Sequence, residues 1–218
     1  MLADFDPSFL VLVLVVVASV ILGMLRYNSR VKGATSHLEA PLKNAIEMVN
    51  TQLNQAREKL SVEDQRTQSG QGSLTSARIG ELRQILDVAE KSINEAKQGN
   101  NIEARAEALT RASVALMQHT IGVNLDKAEA LAKVTQMAVA ANDRGDKSYP
   151  VAAIQQLQDL TASAKRELAS IVPKASSDVK LAGQAIQRAV PSLTEASAIA
   201  KALGLLNESP TAEKPLVL

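Results

Sequence analysis

The first candidates for chemistry in this chain are its two histidines, His37 and His119. Imidazole titrates near neutrality and is the commonest metal ligand. A second His or a carboxylate one helical turn away would mark an acid–base or metal site. Neither histidine has such a neighbour at a spacing of three or four residues, so each reads as a surface or seam histidine. Glu103 and Glu107 share one helical face, the arrangement that paired-carboxylate catalysis requires. Arg105, Arg111 and the surrounding alanines make that face a solvated one. A di-metal bundle uses Glu-x-x-His motifs on facing helices, and the chain contains none. Cysteine is absent, which removes disulfides and thiolate metal sites. The many Ser and Thr form no nucleophile elbow. Asp64–Ser73, DQRTQSGQGS, lacks the Gly-Lys-Ser/Thr ending of a phosphate loop. No catalytic, cofactor-binding or metal-ligating residue is assigned. The expectation is a protein that is not an enzyme and carries no cofactor.

Binding motifs are equally sparse. Arg144-Gly145-Asp146 spells a tripeptide used in cell adhesion, but between two helical patterns it reads as a turn with flanking charge. Leu216-Val217-Leu218 admits two readings, a ligand for a carboxylate-binding groove or a frayed apolar tail. The charges nearly cancel, with 24 basic and 23 acidic residues, so no global field draws in nucleic acid. Two Phe, two Tyr and no Trp leave no aromatic platform for base stacking. No small-molecule substrate is evident.

The elements that position these residues begin with Phe9–Leu25, FLVLVLVVVASVILGML, an uncharged and almost wholly aliphatic run. At 1.5 Å per residue it covers about 26 Å as a helix, and its flanks bring it to roughly the 30 Å of a bilayer core. The spacing predicts a transmembrane helix over 9–27, after a short extracytoplasmic leader at 1–8. Asp4 and Asp6 precede it, and Arg26, Arg30 and Lys32 follow it with no acid before Glu39. Basic flanks stay cytoplasmic, so the N-terminus is expected outside and the C-terminal body in the cytoplasm. The three basic residues face anionic lipid in that orientation. A cleaved signal peptide is the rival reading, disfavoured by the missing basic leader, the long run and the lack of an A-x-A site. Ser19 and Gly23 form a small-xxx-small pair, of a kind that packs two spans closely.

The remainder is polar, Ala-rich and helical in period. A stalk at 28–63 carries Leu42, Ile46, Val49, Leu53, Ala56 and Leu60 in alternating steps of four and three, a narrow a/d stripe. A lone helix of this kind must bury its stripe. Membrane tethering favours a second copy as its partner, and folding back onto later helices is the alternative. A flexible linker is expected at 64–73 and a helical hairpin and bundle region at 74–206. Ile79, Leu82, Leu86, Ala89, Ile93 and Ala96 make a second seam. Gly99 stops that helix in a left-handed conformation, Asn100 caps the next, and the two form an antiparallel hairpin. A continuous or slightly kinked helix then runs from Ile102 towards Ala141, through Gly122 and Asn124. Asn142–Ser148 is a turn, with Ser148 and Pro150 suited to opening a helix. Ile154, Leu157, Thr161, Ala164, Leu168 and Ile171 mark the next seam, and Pro173 breaks it. The last seam runs from Ala175 to Leu203 through Pro191. Residues 207–218 read as a disordered tail.

The fold class expected is all-α: a single N-terminal transmembrane helix followed by long coiled-coil-like helices and antiparallel hairpins. The function expected is a membrane-anchored scaffold or adaptor that self-assembles, or holds a protein partner, at the cytoplasmic face. Leu42, Ile46, Val49, Leu53 and Leu60 would carry assembly, and Arg26, Arg30 and Lys32 orientation. Anchor, stalk and long hairpins together resemble the layout of methyl-accepting chemotaxis receptors, and the stretch from Val151 to Leu168 is similar to the arm after their hairpin tip. The resemblance implies a helical signal transducer. The Glu/Ala-rich tip and a sensor domain between two spans are missing, so no residue role is carried over. A virion or phage membrane structural protein shares the same architecture.

Overall fold

The computed structural model describes residues 36–69 and 74–206, and side chains from Leu38 onward. The leader at 1–8, the span expected at 9–27, the basic flank Arg26, Arg30 and Lys32, the side chain of His37 and residues 207–218 lie outside the described residues. Among the described residues no helix is long and apolar enough to cross a membrane.

Five α-helices make up most of the described chain: α1 Ser36–Gln68, α2 Ser76–Gln98, α3 Ile102–Asp143, α4 Val151–Ile171 and α5 Val179–Ala202. A 3₁₀ turn, Val172–Lys174, joins α4 to α5 and holds Pro173. The helix breaks fall where local chemistry demands them. Thr75 caps α2 by accepting from the Arg78 backbone N–H at 3.2 Å. Asn101 caps α3 by accepting from Ala104 N–H at 2.7 Å, and Asp178 caps α5 by accepting from Leu181 N–H at 2.9 Å. Each satisfies a donor that the helix start leaves orphaned.

Helix α3 organises the packing. Helices α1 and α2 pack on each other and on its first part, whereas α4 and α5 pack on each other and on the remainder. Cross-helix pairs set the directions. Arg83 meets Asp64 and Lys97 meets Asn50, so α1 and α2 are antiparallel. Arg111 meets Glu95, and Arg78 meets Asp126, so α2 and α3 are antiparallel too. Lys165 meets Glu129 across the α3–α4 connection, and Arg188–Glu167 with Gln156–Glu195 fixes α5 antiparallel to α4. The result is two three-helix bundles in tandem on one shared helix. Their apolar cores are separate clusters, the first including Leu116 and the second beginning at Met117.

Several turn details differ from the sequence expectation. The α2–α3 hairpin forms, but Gly99 has φ −59° and ψ 137°, an extended conformation open to any residue. It is glycine for space: a Cβ there would lie 2.6 Å from Arg105 Cγ and 3.2 Å from the Glu95 carbonyl oxygen. The Arg105 side chain crosses this point to donate from Nε to the Ala96 carbonyl at 3.0 Å. The cap of α3 is Asn101, one residue beyond Asn100. Left-handed backbone falls instead on Gly204, after α5, and on Gly145, φ +72°, after the end of α3, where Gly145 and Asp146 N–H groups return to the Asn142 and Ala141 carbonyls. Helix α4 opens at Pro150 with no side-chain cap, and Ser148 takes no part. The Asn142 amide spans that loop instead, bonding both the N–H and the C=O of Tyr149. Of the linker expected at 64–73, the residues up to Gln68 belong to α1, and 70–73 lie outside the described residues. Asp64 is held there by Arg83 at 2.8 Å.

Candidate functional site

The side chains with most chemical potential converge at the middle of α3, where one bundle gives way to the other. His119, Gly122 and Asp126 follow one another at steps of three and four, hence on one face. Helix α2 brings Arg78 across that face. Its Nε donates to both Asp126 carboxylate oxygens at 3.1 and 2.9 Å, and Nη1 donates to Glu81 at 2.7 Å. Gly122 makes this crossing possible, because a Cβ there would stand 3.0 Å from Arg78 Nη2 and 3.2 Å from Leu82 Cδ2. Neither Gly122 nor Asn124 interrupts α3; the Asn124 amide donates back to the Thr120 carbonyl at 2.8 Å.

Electrostatics at this waist are set by burial. His119 is 7 % exposed and its Nε2 has no hydrogen-bond partner among the described residues. Burial, with the nearby Arg78 charge acting the same way, pushes its pKa down to about 4. The imidazole is therefore neutral at pH 7. Asp126 is raised above its ordinary value by burial, and Arg78 only partly offsets this. Arg78 itself is raised by its hydrogen bond to Asp126. The two partners thus move in the same direction; the Asp126 shift reflects desolvation and the Arg78 shift the pairing. Chemically, the arrangement joins helices: the guanidinium is engaged by two carboxylates. A groove of ≈ 290 Å³ opens beside it. Its walls include Leu60 of α1, Leu74, Val123 and Leu131 of α3, Ser197 of α5 and Leu206.

The five residues expected to form an assembly seam lie on α1, away from the Arg78–Asp126 pair. Leu42, Ile46, Val49, Leu53 and Leu60 are 0–6 % exposed and share one core with α2 and α3. The fold-back alternative is the packing that the single chain adopts. Glu103 and Glu107 are exposed, as a solvated face requires. Arg144 and Asp146 pair with each other at 2.9 Å on an exposed turn. Among the described residues no group of His, Cys, Asp or Glu is arranged to hold a metal ion.

The Arg78–Gly122–Asp126 joint escaped sequence reading, although a signal for it existed. A hairpin turning between Gln98 and Ile102 pairs residues equidistant from the turn, and this brings Arg78 opposite the Gly122–Asp126 region. Small residues in a seam opposite a long cation are the trace such a crossing leaves. No family model, curated protein or solved structure matches the chain.

Proposed function

We propose that this protein is a membrane-anchored helical spacer that holds a protein partner at a set distance from the cytoplasmic face. One observation supports the reading above others: an uncharged aliphatic run at 9–25 with a basic flank stands directly before a tandem bundle threaded by one long helix. Helix α3, 42 residues long, extends about 63 Å at 1.5 Å per residue. Such a helix, sheathed by two bundles, transmits position and load along its axis. The proposed work is spacing and binding rather than catalysis. Since the α1 stripe is occupied within the chain, a partner or a second copy would engage outer faces or the membrane span.

Two measurements test this together. A reporter fused after Leu218 should be active only in its cytoplasmic form, and the protein should resist extraction from membranes by high salt and alkali. Extracytoplasmic activity, or release by salt alone, would overturn the anchored reading. Signal transduction is the second reading, favoured by α3 passing unbroken through both bundles. It requires that a partner bound at one bundle alter amide exchange in the other, which a passive spacer does not do.

A further inference from the structure

We propose that the groove at the waist is the docking site of this chain's own continuation, residues 207–218, seated through Leu216, Val217 and Leu218. The groove is mostly apolar, with Leu60, Leu74, Val123, Leu131 and Leu206 among its walls. Val123, in mid-helix, is left 36 % exposed there. The chain arrives at the groove by a built turn. Gly204, at φ +68°, ends α5, and Leu205 N–H returns to the Ala200 carbonyl at 2.9 Å. Leu206, the last residue described, is itself part of the lining.

From that starting point the continuation NESPTAEKPLVL carries a single apolar cluster, Leu216-Val217-Leu218. Ten steps separate Leu206 from Leu216, a reach of up to roughly 35 Å, ample for return to an adjacent groove. A short tether of this kind gives an effective concentration in the millimolar range, so even weak apolar contact is populated. Glu208, Glu213 and Lys214 precede the cluster, and the groove carries both signs, Lys59 and Lys127 with Glu63 and Asp126, so recognition rests on the apolar contact. The walls come from both bundles, Leu60 from the first and Ser197 from the second. The seated segment would therefore clamp the two bundles at their joint, independently of any partner or membrane role.

The native chain has no cysteine, which makes disulfide trapping clean. Full-length protein carrying Val123→Cys with Val217→Cys is compared with Val88→Cys and Val217→Cys, Val88 being 57 % exposed on α2. The 123/217 pair should close within one molecule, at a rate independent of protein concentration and at least about tenfold above the 88/217 pair. Adding Leu216→Asp and Leu218→Asp should bring it down to the control rate. Equal rates for the two pairs, insensitivity to the aspartates, or disulfide-linked dimers in place of the intramolecular bond would each overturn the proposal.

Discussion

The two bundles share a helix and a similar mixture of large aliphatics and alanines in their cores, yet they differ at their edges. The first is laced by short arginine–carboxylate pairs: Arg57 to Asp87 and Glu90, Arg83 to Asp64, Arg111 to Glu95 and Arg78 to Asp126, all at 2.7–2.9 Å. The second has Lys165–Glu129 at 3.2 Å and Arg188–Glu167 at 3.7 Å. Exposed ion pairs contribute little stability, with a median near 0–1 kcal/mol. The difference between bundles is therefore one of register and not of strength. Apolar burial holds both, and the arginines determine which turn of one helix faces which turn of the next.

The largest expected effect tests that equality. Leu82 and Leu157 are both fully buried, one in each bundle. Leu82→Ala and Leu157→Ala should each cost about 2–5 kcal/mol. Amide exchange should show loss of protection concentrated in α1 and α2 for the first and in α4 and α5 for the second. Uniform loss across all five helices in either variant would show one cooperative unit in place of two.

The joint between the bundles supplies the next test. His119 has a folded pKa of about 4 against an ordinary 6.5. As pH falls below about 6.5 the unfolded chain takes up a proton that the folded chain refuses, so stability declines. The decline continues to about pH 4 and reaches roughly 3 kcal/mol. Asp126, raised in the folded state above the ordinary 3.8, acts with the opposite sign at and just above that pH. Denaturant unfolding of the native chain and His119→Leu across pH 4–7 should show a flatter profile for the variant. Parallel profiles would sink the assignment.

Glycines sharpen the comparison between space and conformation. Gly99→Ala should destabilise by about 1–3 kcal/mol through overpacking against Arg105 and the Glu95 carbonyl. Gly80, inside α2, has open space where an added methyl would sit, with nothing within 4 Å. It should behave oppositely, Gly80→Ala stabilising by about 0.5–1 kcal/mol. Thermal melts of the two variants decide it, and shifts of the same sign would refute the distinction. The smallest effect belongs to Arg57, whose side chain is 36 % exposed. Arg57→Ala should cost no more than about 1 kcal/mol, shrinking in high salt. A larger, salt-insensitive loss would mean that the lacing carries stability after all.

Much of the fold was legible from periodicity. Every seam position read in α2 and α4, from Ile79 to Ala96 and from Ile154 to Ile171, is buried, because helix geometry alone puts steps of three and four on one face. The continuity of α3 followed from the same reasoning, and the hairpin from the break at Gly99-Asn100-Asn101. The role of Gly99 was not legible. A composition rule assigns glycine after a helix to left-handed backbone, whereas here a neighbouring arginine needs the room. The waist was hidden for a related reason: Arg78, His119, Gly122 and Asp126 become a cluster only through an antiparallel register between two helices.

The sequence by itself determined the helices, their buried faces and the chain's uncharged leading run, since these depend on hydrophobicity and on spacing within one segment. The partner of each face was decided only by the tertiary structure. The α1 stripe at Leu42, Ile46, Val49, Leu53 and Leu60 suits a second copy as well as it suits α2 and α3, because an apolar seam is not directional. The fold chose α2 and α3, which short connections keep near and which arginines such as Arg57 and Arg83 hold in register.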